Sequence, residues 1–306
     1  MRIYYTDHFD LPLPPRHRFP MSKYRRLRRR LVQTDLHRDD VLAVPPAATD
    51  DQLALCHTAR YIDAVRSGTL TGAEIRRIGF PWSPKMVERS RRSTGATMSA
   101  ARAAIAGDGV SVNLAGGTHH AMTDAGEGYC VFNDAAVTIA TLRRDGVIDR
   151  GCVIDLDVHQ GNGTAQIAAD WDWLFTVSMH GERNFPARKF PSDLDVALPD
   201  GTGDDQYHAA LGRTLSDIDA AGPFDLVVYL AGADPLVSDR LGRLSLTKPG
   251  LRKRDEMVLD WAAARGTPVA IAMAGGYSPR IDDIVDVHAG TVGVAKRAEP
   301  RFGEKD

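Results

Sequence analysis

Short apolar runs alternate with longer segments of helical periodicity along most of the chain. Seven of the runs have the length and hydrophobic content of strands, and the central ones are apolar enough to be buried on both faces of a sheet. The predicted strands cover residues 1–5, 41–44, 110–115, 152–156, 174–179, 225–230 and 269–273.

Helices are predicted between the strands, and apolar positions spaced three and four residues apart mark the first of them. The first has Pro20 in its opening turn and Tyr24, Leu27 and Leu31 on its apolar face. The others cover residues 50–68 with an interruption, 83–106, 132–144, 164–169, 205–220, 247–264 and 281–296. The segments 6–20 and 183–198 are predicted as loops.

Strands that alternate with helices predict an α/β fold, in which a parallel sheet is covered by helices on both faces. The sequence contains no Gly/Ser linker, no low-complexity segment and no repeat of fixed period. We therefore expect a single domain over residues 1–306.

Composition narrows the possible functions. A hydrophobic content of 43% in 306 residues allows a large core. A net charge of -2 gives no overall attraction to nucleic acid or an anionic membrane, so the arginine-rich stretch from Arg25 to Arg30 is interpreted as the solvated face of the first helix. No apolar run approaches the roughly 20 residues that a membrane span needs. Three cysteines without a C-x-x-C pair favour buried thiols in a reducing cytoplasm.

The most unusual stretch is 152–163, which starts as a buried strand and ends in polar residues. Asp155, Asp157 and His159 follow one another at alternate positions, so an extended chain directs all three to one side. Buried carboxylates crowded in this way need a counter-charge, and a divalent metal supplies one. Gly161 and Gly163 then allow a sharp turn into the next helix.

Three other predicted strands also end in residues suited to catalysis. His119 and His120 follow strand 110–115, Asp234 follows 225–230, and Tyr277 follows 269–273. Because the carboxyl ends of parallel strands share one edge of the sheet, we expect these side chains to meet in one crevice.

The expected chemistry is that of an open metal site. Asp157, His159 and Asp234 supply three protein ligands and leave a further position for water or substrate, which is typical of catalytic zinc. This set suits the addition of metal-activated water to an amide carbonyl.

The remaining polar residues fit supporting roles. Asp155 is placed to align an imidazole, and either His119 or His120 can transfer protons near neutral pH. Tyr277 can donate its hydroxyl to an oxyanion. Taken singly, Tyr277 is more often a packing residue, and either histidine is more often a hydrogen-bonded core residue. Their shared location favours the catalytic interpretation.

Five blocks, in this order, resemble the signature blocks of zinc-dependent histone deacetylases. They read GGTHHA at 116–121, GEGYC at 126–130, IDLDVH at 154–159, AGAD at 231–234 and GGY at 275–277. The likeness covers essentially the whole chain, and residues 17–21, 77–84 and 239–242 resemble the compact class IV type and its bacterial relatives. The resemblance implies the arginase/deacetylase fold, a three-layer α/β/α sandwich with a mostly parallel central sheet. It also implies an enzyme that removes acetyl or longer acyl groups from lysine side chains.

The resemblance further implies a role for each matching residue. It assigns Asp157, His159 and Asp234 to one zinc ion. It makes His120 the general base and acid, pairs His119 with Asp155 as an electrostatic partner, and makes Tyr277 the group that polarises the carbonyl. Asn162 stands where class I members have an aspartate, as in classes II and IV, and would orient His120 without holding it protonated.

Two further sites are implied by the same resemblance. Gly128, Tyr129 and Phe185 would line the acyl-lysine channel, with Tyr129 in place of the frequent phenylalanine. Asp155, Ser178 and the carbonyl oxygen of Met179 would hold a structural potassium ion.

Alternative functions remain at this point. The substrate is expected to be an acylated lysine of a protein or peptide, or a small acylated amine such as an acetylpolyamine, although this chain lacks the long early insertion usual in that group. A catalytically inactive acyl-lysine-binding module is the alternative from another class. A two-manganese ureohydrolase shares the fold but needs a second set of ligands, which the sequence does not show. Neither a membrane nor nucleic acid is expected as a partner.

Overall fold

The computed structural model describes residues 1–15, 17–34, 36 and 41–302. Within this part of the chain, eight strands form a single sheet in the order β2-β1-β3-β8-β7-β4-β5-β6. Every pair of neighbouring strands is parallel. The strands are β1 (Arg2–Tyr4), β2 (Val41–Ala43), β3 (Val110–Asn113), β4 (Gly151–Asp155), β5 (Leu174–Gly181), β6 (Leu194–Leu198), β7 (Leu226–Leu230) and β8 (Val269–Ala272).

Ten α-helices connect the strands in the described residues. They are α1 (Lys23–Gln33), α2 (Asp50–Leu53), α3 (Ala59–Ser67), α4 (Gly72–Ile78), α5 (Pro84–Ala103), α6 (Asp134–Arg144), α7 (Asn162–Ala168), α8 (Asp204–Ala221), α9 (Lys248–Ala263) and α10 (Ile281–Ala298). Short 3-10 turns lie at Asp7–Phe9 and Glu299–Phe302, and a π-helical turn, Ala104–Asp108, follows α5.

The central strands are apolar on both faces because each face is covered by a different set of helices. In β4, Cys152 and Ile154 join a core with residues of α1, α8, α9 and α10. Val153, between them, points to the other face and packs with residues of α5 and α6. The fold is therefore a three-layer α/β/α sandwich, as predicted.

The sequence prediction was wrong about two elements. The segment 183–198 is not all loop, because β6 (Leu194–Leu198) pairs with β5 at the edge of the sheet. This strand is short and half-exposed and begins Leu-Asp-Val, so it lacks the continuous apolar run that marks a buried strand. Helix α4 was missed as well; a capping box formed by Thr71 and Glu74 begins it and Gly79 ends it.

Other expectations agree with the structure. All seven predicted strands are present, and residues 50–68 form two helices on either side of an interruption. The three cysteines are free thiols, and all are buried. On α1, Arg26, Arg28 and Arg30 form ion pairs with aspartates. In the described part of the chain, no helix combines the length and the apolarity required to cross a bilayer.

Candidate metal centre and active site

Polar residues follow the carboxyl ends of four strands that lie side by side. In the sheet order β3-β8-β7-β4, the chain continues to His119 and His120 after β3, to Tyr277 after β8, to Asp234 after β7 and to Asp157 after β4. The topology thus brings the predicted residues to one edge of the sheet.

Asp157, His159 and Asp234 lie close enough together to bind one metal ion. Their potential ligand atoms are all within 4.8 Å of one another, and all three residues are buried. The Nδ1 atom of His159 is 2.9 Å from Oδ1 of Asp157 and 3.3 Å from Oδ2 of Asp234.

The donor set fits a cation. The Oδ2 atom of Asp234 is buried and accepts no hydrogen bond from any described residue. Burial, together with the nearby carboxylate of Asp157, raises the pKa of Asp234 to about 7. Two adjacent buried carboxylates with an unsatisfied oxygen are unfavourable alone, and a divalent metal would compensate both the charge and the missing contact.

Backbone amides fix the two carboxylates. The N–H group of Val158 donates to Oδ1 of Asp234 at 3.0 Å, and the N–H group of Gly275 donates to Oδ2 of Asp157 at 2.8 Å. Gly275 is required by this close approach, because a Cβ atom at this position would lie 1.9 Å from Oδ2 of Asp234.

The two histidines have different partners. The Nδ1 atom of His119 lies 2.6 Å from Oδ2 of Asp155, and the Nδ1 atom of His120 lies 2.6 Å from Oδ1 of Asn162. Burial opposes protonation of His119, but the carboxylates of Asp155 and Asp157 outweigh burial and raise the pKa of His119 to about 9.

His120 is in the opposite electrostatic state. Burial and the neighbouring rings of His119 and His159 hold the pKa of His120 well below its ordinary value. The amide oxygen of Asn162 can only accept a hydrogen bond, so the proton of neutral His120 resides on Nδ1. The Nε2 lone pair is therefore free to take up a proton.

A cavity of about 420 Å³ opens onto these groups. The predicted channel residues Gly128, Tyr129 and Phe185 all line it, as do His120 and Tyr277. Phe185 is 41% exposed and stands edge-on to His120, with the two ring centroids 4.9 Å apart. The ring centroids of Tyr129 and Tyr277 are 6.0 Å apart, and no described residue forms a hydrogen bond with the Tyr277 hydroxyl.

A family model described as the histone deacetylase domain matches residues 17–291, which is most of the chain. The chain belongs to the histone deacetylase family. This confirms the family suggested by the five sequence blocks.

Individual relatives agree with this assignment. An uncharacterized protein of Picosynechococcus sp. is 42% identical over 287 residues, covering 94% of this chain and 95% of the relative. Histone deacetylase 2 of Arabidopsis thaliana is 30% identical over 291 residues, covering 90% of this chain and 74% of its own. A histone deacetylase-like amidohydrolase of Pseudomonas aeruginosa is 30% identical over 249 residues, covering 76% of this chain and 65% of the relative.

A solved structure confirms the fold. The crystal structure of the HDA15 HD domain superposes with a TM-score of 0.82 and 21% sequence identity, covering 97% of this chain and 91% of that domain. The arginase/deacetylase-like sandwich expected from the sequence is therefore the fold of this histone deacetylase family member.

The residues predicted to hold potassium also lie together. Asp155 and Ser178 are register partners on β4 and β5, and Met179 follows Ser178. All three are buried. The hydroxyl of Ser178 contacts Nδ1 of His180 at 3.0 Å, and the Asp155 carboxylate contacts His119.

Sequence reasoning missed a buried arginine beneath the candidate metal centre. Arg254 of α9 is fully buried, and its Nη1 donates to the carbonyl oxygens of Gly232 at 2.6 Å and Leu156 at 3.4 Å. Leu156 directly precedes Asp157, and Gly232 lies two residues before Asp234. The charge of Arg254 is balanced by Asp255, whose Oδ1 is 2.8 Å from Nη2. The sequence did contain a signal for this pair, because two charged residues, Arg254 and Asp255, fall on the otherwise apolar face of α9.

The loop that carries the histidines is held by a second missed residue. Asp134, at the start of α6, is fully buried and accepts hydrogen bonds from the N–H groups of Gly117 at 3.0 Å and Thr118 at 2.7 Å. Thr97 of α5 also donates to it, at 2.5 Å. An Asn-Asp pair before a helical segment suggests a cap in the sequence, but not this second partner.

A buried lysine supports the turn that carries Tyr277. Lys23 of α1 is 2% exposed, and its Nζ donates to the carbonyl oxygens of Ala274 at 3.2 Å and Gly276 at 3.4 Å. The same ammonium lies 5.5 Å from the centre of the Tyr277 ring. No described carboxylate forms an ion pair with it. In sequence, Lys23 was indistinguishable from the exposed basic residues that follow it.

Proposed function

We propose that this histone deacetylase family member is an amidohydrolase that removes acyl groups from lysine side chains, with one zinc ion held by Asp157, His159 and Asp234. The observation that carries the proposal is the buried Asp157/His159/Asp234 group, in which Oδ2 of Asp234 has no hydrogen-bond partner among the described residues. Asp157 and His159 of this group line the same cavity as His120 and Tyr277. When bound there, the metal would polarise the substrate carbonyl and lower the pKa of the attacking water.

The side chains then have complementary tasks. Neutral His120, with its Nε2 lone pair available, takes the proton of the attacking water and later delivers it to the leaving amine. Asn162 holds the required tautomer by accepting from Nδ1. His119, paired with Asp155, lines the same cavity and would supply a positive charge to it during the reaction. Tyr277 donates its hydroxyl to the same oxygen, and burial and the nearby Asp157 raise the pKa of this phenol so that its proton stays in place.

The proposal also includes the substrate channel, a potassium site and the type of enzyme. Gly128, Tyr129 and Phe185 would contact the acyl-lysine stem. The carboxylate, hydroxyl and carbonyl oxygens of Asp155, Ser178 and Met179 are hard donors that suit potassium. We further propose a single catalytic domain of the class IV-like type, working in the cytoplasm of a bacterium.

The function is tested by incubating the purified protein, with defined metal content, with peptides that carry acetyl to long-chain acyl groups on lysine. Mass spectrometry should detect free lysine peptide and free carboxylic acid in equal amounts. If the protein binds the acylated peptides but releases no acid, it is an inactive acyl-lysine-binding module and the proposed reaction is wrong.

We expect Lys23→Met to lower kcat by about 10–100-fold, because two hydrogen bonds from a charged donor to the Tyr277 turn are lost. Methionine preserves the length of the stem and removes a buried charge, so the midpoint of thermal unfolding should change little. Steady-state kinetics and thermal unfolding of the variant measure both quantities.

Two further variants provide the control and the decisive comparison. Lys253→Met changes an exposed lysine on α9 and should leave kcat unaltered. If Lys23 acts through Tyr277, Lys23→Met should cost little more once Tyr277 is phenylalanine. If the losses in kcat from Lys23→Met and Tyr277→Phe multiply in the double variant, Lys23 does not act through Tyr277.

A further inference from the structure

The mouth of the active site is lined by arginines. A second cavity of about 290 Å³ adjoins the first, because Tyr277 and Leu241 line both. Arg18 and Arg240 line the second cavity, and Arg76 lines the first. Arg18, Arg76 and Arg240 are all exposed; together they are called the arginine rim below.

The arginine rim is not neutralised by any residue that the structure describes. None of its three members forms a hydrogen bond or an ion pair with any described residue. The neighbouring Arg77 shows the contrast, because it pairs with Glu127 at 3.0 Å. The arginines of α1 that reach α10 are also paired.

Acidic groups at the mouth are few and already occupied. Apart from the metal-binding Asp157, Glu127 is the only carboxylate among the described residues that line either cavity. Asp239, next to Arg240, is turned inward, where it accepts from the N–H groups of Leu241 at 2.8 Å and Tyr277 at 2.6 Å. The entrance therefore presents uncompensated positive charge.

We propose that the arginine rim selects acyl-lysines flanked by acidic residues, so that the preferred substrate is an acidic peptide segment. The inference rests on the proposed function, since an acyl-lysine that fills the cavity leaves its backbone and sequence neighbours at the rim. Planar guanidinium groups pair with carboxylates in bidentate geometry, which suits aspartate and glutamate side chains at these positions.

The same charges act against two other substrates. Acetylpolyamines keep ammonium groups at neutral pH, because amines of this type have pKa values near that of lysine, about 10. Basic peptide tails carry lysine and arginine beside the acylated residue. Both bring like charge to the rim, which disfavours their binding.

The test uses three peptides that share one acyl-lysine and differ only in having glutamate, glutamine or lysine on both sides. We expect kcat/KM to fall in that order, with the glutamate peptide about tenfold better than the lysine peptide at low salt. The difference should lie in KM and should shrink at high ionic strength, because exposed charges are screened.

Binding of the same peptides, labelled with fluorescein and measured by anisotropy, gives a readout that does not depend on turnover. The triple variant Arg18→Gln, Arg76→Gln, Arg240→Gln should lose the preference for glutamate. Arg213→Gln, on the exposed side of α8 and outside both cavities, should keep it.

The outcomes separate the rim from the chemistry. Equal kcat/KM and equal binding for the three peptides would overturn the role of the rim and leave the deacylase intact. Selective binding of the glutamate peptide without release of acid would support the rim and overturn the proposed reaction. Displacement of all three peptides alike by a single-stranded oligonucleotide, with no preference for glutamate, would show a nucleic-acid surface and contradict the proposal.

Discussion

Replacing Tyr277 with phenylalanine is expected to lower kcat by about 10²–10³ while KM changes little. The substitution keeps the ring, and with it the contacts to Phe19 and Tyr129. Only the hydroxyl is removed, which forms no hydrogen bond with any described residue and so has no structural partner to lose. Stopped or continuous assays on an acyl-lysine peptide give both constants.

The physical reason is that negative charge on the amide oxygen grows only as water attacks. A hydroxyl aimed at that oxygen therefore stabilises the transition state more than the bound substrate, and its loss appears in kcat. Tyr5→Phe is the matched control, because Tyr5 lines neither cavity. A kcat for Tyr277→Phe within threefold of wild type would show that Tyr277 only packs.

Arg254→Met is expected to destabilise the protein by about 3–5 kcal/mol, because it leaves the carboxylate of Asp255 buried without its counter-charge. The hydroxyls of Tyr229 and Thr291 still donate to Asp255, at 2.6 Å and 2.7 Å, but they cannot neutralise it. The carbonyl of Gly232, close to Asp234, also loses its donor. Urea denaturation of the wild type and the variant measures the effect as a change in the free energy of unfolding.

The neighbouring Arg252 provides the control for this prediction. It lies on the exposed side of the same helix, so Arg252→Met should change the free energy of unfolding by less than about 0.5 kcal/mol. A similarly small change for Arg254→Met would mean that the Arg254–Asp255 pair does not hold the loops beneath the proposed metal centre.

The proposed metal ligands could be grouped from the sequence because their positions follow from short-range rules. Asp157 and His159 alternate after an apolar run, and Asp234 follows a second run of the same kind. The parallel arrangement then brings both to one sheet edge without any knowledge of the packing.

The supporting residues could not be found in this way. Lys23 reaches carbonyl groups of Ala274 and Gly276, about 250 positions along the chain, and no local pattern predicts such a contact. Strand β6 was missed because an edge strand with one exposed face lacks the apolar run of a central strand. The arginine rim likewise depends on the tertiary structure, since its members come from three distant segments.

Metal content tests the central claim most directly. Elemental analysis of the purified protein should give about one transition-metal ion per chain, and Asp234→Asn should lose it, because one of the two carboxylate charges in the ligand set is removed. Added Zn²⁺ should raise the thermal midpoint of metal-free wild type but not that of the variant. Two bound ions per chain, or full metal content in Asp234→Asn, would contradict a single site formed by Asp157, His159 and Asp234.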